Sequence, residues 1–264
     1  MLALPTRAAT LAASALAAAL LLAAPAARSA EDTKAAAPAT ASTPQAAARD
    51  SASADQRASK SKAATEPTEV KAGRALALKV QRYYGRTKDF SAAFAQRYSY
   101  PALERVDEKT GLVQVKKPGL VRWEYLTPEK KLLLLDGAAF WQWVPEDNQV
   151  TVKRSLSGNE LSSAFTFLWG KGDLLAEFSP RTIALPAGLP KGKALELLPK
   201  KPGGSVQKLI FAVDAKGQVL ASVVTDAQGN ENRLIFSDAK VDQKLADAGF
   251  KFEIPKGASV QELP

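Results

Sequence analysis

The sequence contains no cysteine, no histidine and a single methionine, Met1. Without cysteine there are no disulfides, no thiolate nucleophile, and no cysteine-ligated zinc or iron–sulfur cluster. Without histidine there is no Ser-His-Asp triad, no imidazole base and no histidine metal site. Chemistry would fall to carboxylates, lysines or tyrosines. This favours a binding or carrier protein over an enzyme, with no metal and no cofactor. Acidic residues are also outnumbered, 27 against 36 basic ones, leaving a net charge of +9 on 264 residues. The excess is either ordinary solubility or an attraction to anionic headgroups or an acidic partner. Nucleic acid is not expected, because no basic run with interleaved aromatics stands out.

Residues 1–30 follow the order of a secretory signal: Arg7, an apolar Leu11–Ala24 run, then the small residues of Ala24-Pro25-Ala26 and Ala27-Arg28-Ser29. The alternative is a retained membrane anchor. The run is short and alanine-rich for a span, which favours cleavage. Export of a cysteine-free chain points to the periplasm. Residues 31–70 are Ala, Ser, Thr, Pro and charge, with Val70 the one large apolar residue. Such composition buries too little surface to offset its ordering entropy and predicts a disordered linker. The third region, 71–264, is predicted to be a single folded domain.

Within it, Leu76, Val80, Tyr83 and Tyr84 predict an amphipathic helix over Ala72–Tyr84, ended by Gly85. Alternation then takes over at Phe90–Tyr98, Val121–Tyr125, Val150–Lys153 and Phe250–Ile254, the pattern of half-buried antiparallel strands. Turns are predicted at Asp107–Gly111, Asp136-Gly137, Pro145–Asn148, Asp214–Gly217 and Asp226–Gly229. No further carboxylates follow these at the spacing of a calcium loop. Leu161, Phe165, Leu168 and Trp169 share one helix face. Asp173 then caps a second short helix with Leu174, Leu175 and Phe178. The fold class is mainly β with helices: a single curved antiparallel sheet with an N-terminal helix and a central helical insert packed on its concave side.

The ordered run Phe90-Ser-Ala-Ala-Phe94-Ala-Gln96, Gly111–Tyr125 with its Lys117-Pro118 and Arg122-Trp123, Pro128, Leu134–Gly137, Phe140-Trp141, Gln149–Val152 and Phe250–Gly257 resembles the outer-membrane lipoprotein carrier family, LolA. The resemblance spans about 76–262. It implies an unclosed β-barrel with a helical lid over a hydrophobic cavity. It also implies a monomeric carrier that shelters lipoprotein acyl chains between an inner-membrane ATP-binding-cassette releasing complex and an outer-membrane receptor. Some members carry an arginine before the matching proline, where it helps to latch the lid. Here Lys117 stands there and is the latch candidate. Arg122 is expected on the face opposite Trp123.

Expected cavity-lining residues are Phe94, Val121, Trp123, Tyr125, Phe211, Phe252 and either Trp141 or Trp143. Expected lid residues are Leu161, Phe165, Leu168 and Trp169. Aromatic stripes of this kind also build ordinary cores, and the all-apolar Leu132–Leu135 strand fits either a ligand-facing or a doubly covered position. Rival functions are a carrier of another lipid or glycolipid, and a regulatory lipid- or peptide-sensing module. The latter usually adds a domain after the barrel, whereas this sequence stops at Pro264. A carboxylate hydrolase would draw on Glu124, Asp136, Glu146 and Asp147, yet nothing pairs them across a cleft.

Overall fold

The computed structural model describes residues 67–154, 173–201 and 206–263. Helix α1 spans Thr68–Arg86. It buries Leu76, Ala77, Val80 and Tyr84, the apolar face read from the sequence. It runs through Gly85 and stops at Thr87, whose backbone is extended and whose hydroxyl donates to the Tyr83 carbonyl at 3.0 Å. The helix thus begins at Thr68, three residues before the composition change at Lys71.

Among the described residues, twelve strands form one sheet. They are β1 Asp89–Tyr100, β2 Arg105–Lys116, β3 Leu120–Thr127, β4 Lys131–Asp136, β5 Ala139–Val144, β6 Gln149–Arg154, β7 Phe178–Ile183, β8 Lys193–Pro199, β9 Val206–Val213, β10 Val219–Asp226, β11 Glu231–Val241 and β12 Ser259–Leu263. A short helix α2, Leu174–Glu177, precedes β7. It is capped as expected, with Asp173 accepting from the Leu175 and Ala176 amides at 2.8 and 3.3 Å. Phe178 is the first residue of β7 instead of the last of the helix.

The strand order is β12-β6-β5-β4-β3-β2-β1-β11-β10-β9-β8-β7, two meanders joined where β1 pairs with β11. The sheet does not close on itself: β12 and β7 are its two edges. All pairings but one are antiparallel. The exception is β12, which runs parallel to β6. A chain returning from β11 across the outer face reaches β6 in that direction.

Two expectations fail for physical reasons. Asp107–Gly111 is no turn; it lies within β2, and the reversal comes earlier, at Pro101–Leu103 with Glu104 left-handed at φ 47°. Gly111 serves packing: a Cβ there would sit 2.6 Å from Phe94 Cζ and collide with the Glu124 carbonyl. Phe250–Ile254 alternates but is not a strand. Phe250 ends a 3-10 turn, Asp247–Phe250, and the following residues form an extended strap that packs Phe252 on the outer face. The strap turns at Pro255–Ala258 and becomes β12.

The inner face and α1 form one continuous core. It gathers Phe90, Phe94, Val113, Val121, Trp123, Leu133, Phe140, Phe178, Leu195, Phe211 and Leu234 with Leu76, Val80 and Tyr84. A single face contributing to one core from β1 through β11 must curve around that core. The outer face is covered in two places. Leu134, Trp141, Val150 and Val152 lie beneath Phe252 and Ala258 of the strap. Ala194, Ile210 and Val223 lie beneath Leu189. The Leu132–Leu135 strand is therefore doubly covered, its residues divided between the two faces.

Candidate functional site

The inner wall is built by strand alternation. On β1, Phe90, Ala92, Phe94, Gln96, Tyr98 and Tyr100 all point inward and are buried. On β3 the inward set is Val121, Trp123 and Tyr125. Phe94 packs against Trp123 with ring centroids 4.8 Å apart, and edge-on against Tyr125 at 5.4 Å. Phe211 joins the same core from β9. The structure thus brings together Phe94, Val121, Trp123, Tyr125 and Phe211, all buried in one cluster.

Trp141, Trp143 and Phe252 lie elsewhere. Residues 141 and 143 are two apart on a strand, so they share a face. That face is the outer one, where Trp141 stacks on Phe252 at 5.2 Å and sends its indole N–H to Asp136 at 2.7 Å. The inward residue of β5 is Phe140, opposite Leu135. Leu161, Phe165, Leu168 and Trp169 lie outside the described residues.

Polar atoms on the wall are few. The Tyr125 hydroxyl meets the Trp123 indole and the Gln96 amide, yet burial outweighs both and pushes its pKa well above that of a free tyrosine. Gln96 also donates to Asn232 at 2.9 Å. At the other end of β1, the Tyr84 hydroxyl accepts from the Val219 amide at 3.2 Å, and burial likewise raises its pKa. The side chains that make up this core are apolar and aromatic. Such a surface can hold hydrocarbon by exclusion of water, without directional contacts.

Lys117 sits at the C-terminal end of α1. Its ammonium donates to the Tyr84 carbonyl, one of the last-turn carbonyls of α1 that has no partner within the helix. Burial lowers its pKa, with Asp242 opposing. Tyr84, Thr87, Lys88, Asp89, Phe90, Val115 and Lys117 enclose a cleft with room for about one water molecule. Arg122 faces away from Trp123, donating to Glu124 at 3.2 Å and to the Gly249 carbonyl of the 3-10 turn at 3.4 Å.

The carboxylates weighed for hydrolysis are engaged in structure. Asp136 accepts from the Ala138 and Ala139 amides at 2.8 and 2.7 Å as well as from Trp141. Burial works against its charge, but these donors prevail and hold its pKa below the usual carboxylate value. Glu124 is held by Arg122, and Glu146 and Asp147 lie in the exposed β5–β6 turn. Among the described residues, no three or more acidic side chains gather as a metal site.

The family model for the outer membrane lipoprotein carrier protein LolA matches residues 85–253. An outer-membrane lipoprotein carrier protein from Methylibium petroleiphilum is 31% identical over 179 residues, covering 67% of this chain and 85% of that one. One from Vibrio parahaemolyticus is 29% identical over 173 residues, covering 66% and 79%. Among solved structures, a LolA-superfamily protein from Nitrosomonas europaea is 16% identical with a TM-score of 0.38, over 68% of this chain and 97% of that one. The chain belongs to the LolA family of outer-membrane lipoprotein carrier proteins.

Proposed function

We propose that the protein shelters the acyl chains of lipoproteins in the hollow bounded by Phe94, Val121, Trp123, Tyr125 and Phe211. It carries them through the periplasm as a monomer, from an inner-membrane ATP-binding-cassette releasing complex to an outer-membrane receptor. The observation behind this reading is the continuous apolar and aromatic wall that joins α1 in one core. Hydrocarbon leaves water at about 0.8 kcal/mol per methylene, so an acyl chain needs on the order of 10 kcal/mol of apolar shelter to cross an aqueous space. In this structure α1 packs along β7 and adds Leu76, Val80 and Tyr84 to the same core. Loading therefore exchanges helix side chains for hydrocarbon, and the Lys117–Tyr84 contact is what the incoming chain must release. No catalytic group and no cofactor is needed. The secretory signal read in residues 1–30 supports the periplasm as the place of work.

The test is native mass spectrometry of the protein extracted gently from the periplasm, paired with release of inner-membrane lipoproteins from spheroplasts. Co-purifying lipoprotein and active release are expected. A protein that always emerges empty and releases none is not the carrier.

A further inference from the structure

The outer side of α1 has a composition that the carrier reading does not use. Lys71, Arg74, Arg82 and Arg86 are exposed and Lys79 is half-buried. At 100° per residue they fall within an arc of about 140°, with the exposed Leu78 near its middle. The helix has one acidic residue, Glu69, and the same geometry puts it on the far side, toward the buried face. None of the five basic side chains takes part in an ion pair among the described residues. Neighbouring elements extend the basic surface. The β9–β10 turn, held to α1 by the Tyr83 hydroxyl donating to Gln218 at 2.9 Å, carries exposed Lys216. Helix α2, which meets α1 through Gln81 and Asp173 at 3.4 Å, lies beside exposed Lys200 and Lys201. The acidic groups nearby, Asp173 and Asp214, are already taken up by backbone amides.

We propose that this face of α1 is a docking surface for the anionic headgroups of a lipid bilayer. The charges are strung along the whole 19-residue helix and all point one way. That suits a plane of negative charge better than a compact acidic protein patch. Long basic side chains can reach the phosphates while Leu78 meets the interface between them, the arrangement of a surface-lying amphipathic helix. Each basic residue close to an anionic membrane strengthens partition by about fivefold.

The chain has no cysteine, so one introduced cysteine is a unique label site. The full-length Ala75→Cys protein, labelled with an environment-sensitive dye inside the basic arc, is mixed with phosphatidylcholine vesicles with or without phosphatidylglycerol. Ala248→Cys, in the 3-10 turn before the strap, is the control. The dye at position 75 should shift to the blue with anionic vesicles, not with neutral ones, and less at high salt. Arg74→Glu with Arg82→Glu should weaken that shift by about 25-fold or more. The dye at position 248 should stay in water. An unmoved dye at 75, an equal shift with neutral vesicles, or a shift that survives the charge reversal overturns the proposal. So does photo-crosslinking from position 75 to an acidic protein in place of lipid.

Discussion

Replacing Lys117 with methionine separates a gating role from a structural one. The methionine keeps the apolar stem but removes the ammonium that donates to the Tyr84 carbonyl. A charged hydrogen bond contributes about 1.5–3 kcal/mol when sheltered. Lys117 is only half-buried, so solvent screening reduces this to about 1 kcal/mol. The released carbonyl lies at the exposed end of α1 and can turn to water, so no further penalty follows. For a domain of this size the melting temperature should fall by about 2–4 °C. The same 1 kcal/mol destabilises the state with α1 packed in the core relative to the state that admits an acyl chain. Apparent affinity for a fluorescent fatty acid should then rise about fivefold, because a larger fraction of molecules is competent to bind. Lys117→Arg, which keeps charge and donors, should return both quantities to near their starting values. Stability is read by urea denaturation and affinity by probe titration. The reasoning fails if Lys117→Met lowers stability while affinity stays where it was: Lys117 would then hold the helix without controlling entry.

Other substitutions probe the wall. Gly111→Ala should cost about 3 kcal/mol or more in urea denaturation, because the new methyl meets Phe94 and the Glu124 backbone carbonyl, which cannot move aside; an unchanged midpoint would show the β2–β3 spacing to be loose. Trp123→Phe should weaken fatty-acid binding, whereas Trp141→Phe should lower stability alone, losing its bond to Asp136 on the outer face; equal effects on binding would count against the inner–outer division. Alkaline stability should decline once pH passes about 10, where unfolded tyrosines ionise. Burial raises the folded-state pKa of Tyr84 and Tyr125, so stability is intact below that value and is lost above it at up to about 1.4 kcal/mol per pH unit per tyrosine. Tyr84→Phe should shallow that slope in urea melts taken across the range, and a slope no different from the parent would remove Tyr84 from the account.

Much of the sheet is legible because alternation is a local property. Phe90 to Tyr98, Val121 to Tyr125 and Val150 to Lys153 declare their strands whatever they pair with. The two misread segments depend on distant partners: Phe250–Ile254 alternates like a strand, but its Phe252 lies against Trp141 on the outer face, and the strand comes only afterwards. Gly111 looks like a turn residue until Phe94 and Glu124 are known to press on it from the neighbouring strands. Ser259–Leu263 shows no apolar face of its own, because an exposed edge strand needs only backbone pairing to β6.

The site divides along the same line. Alternation places Val121, Trp123 and Tyr125 together on one side of β3, and the opposite side carries Arg122 and Glu124, so inward and outward are distinguishable there. On β4 and β5 that contrast disappears. Leu132 to Leu135 are apolar on both sides, and Phe140 and Trp141 are adjacent large aromatics pointing opposite ways. Residues 141 and 143 were bound to share a face, but which face lines the hollow is decided by the strap, whose Phe252 covers Trp141 from a position more than a hundred residues along the chain. A second apolar cover makes both faces of a strand read as interior. For that reason Phe140, hidden beside two tryptophans, is the wall residue that composition could not single out, while Trp141, the more conspicuous side chain, serves to fasten the C-terminal strap.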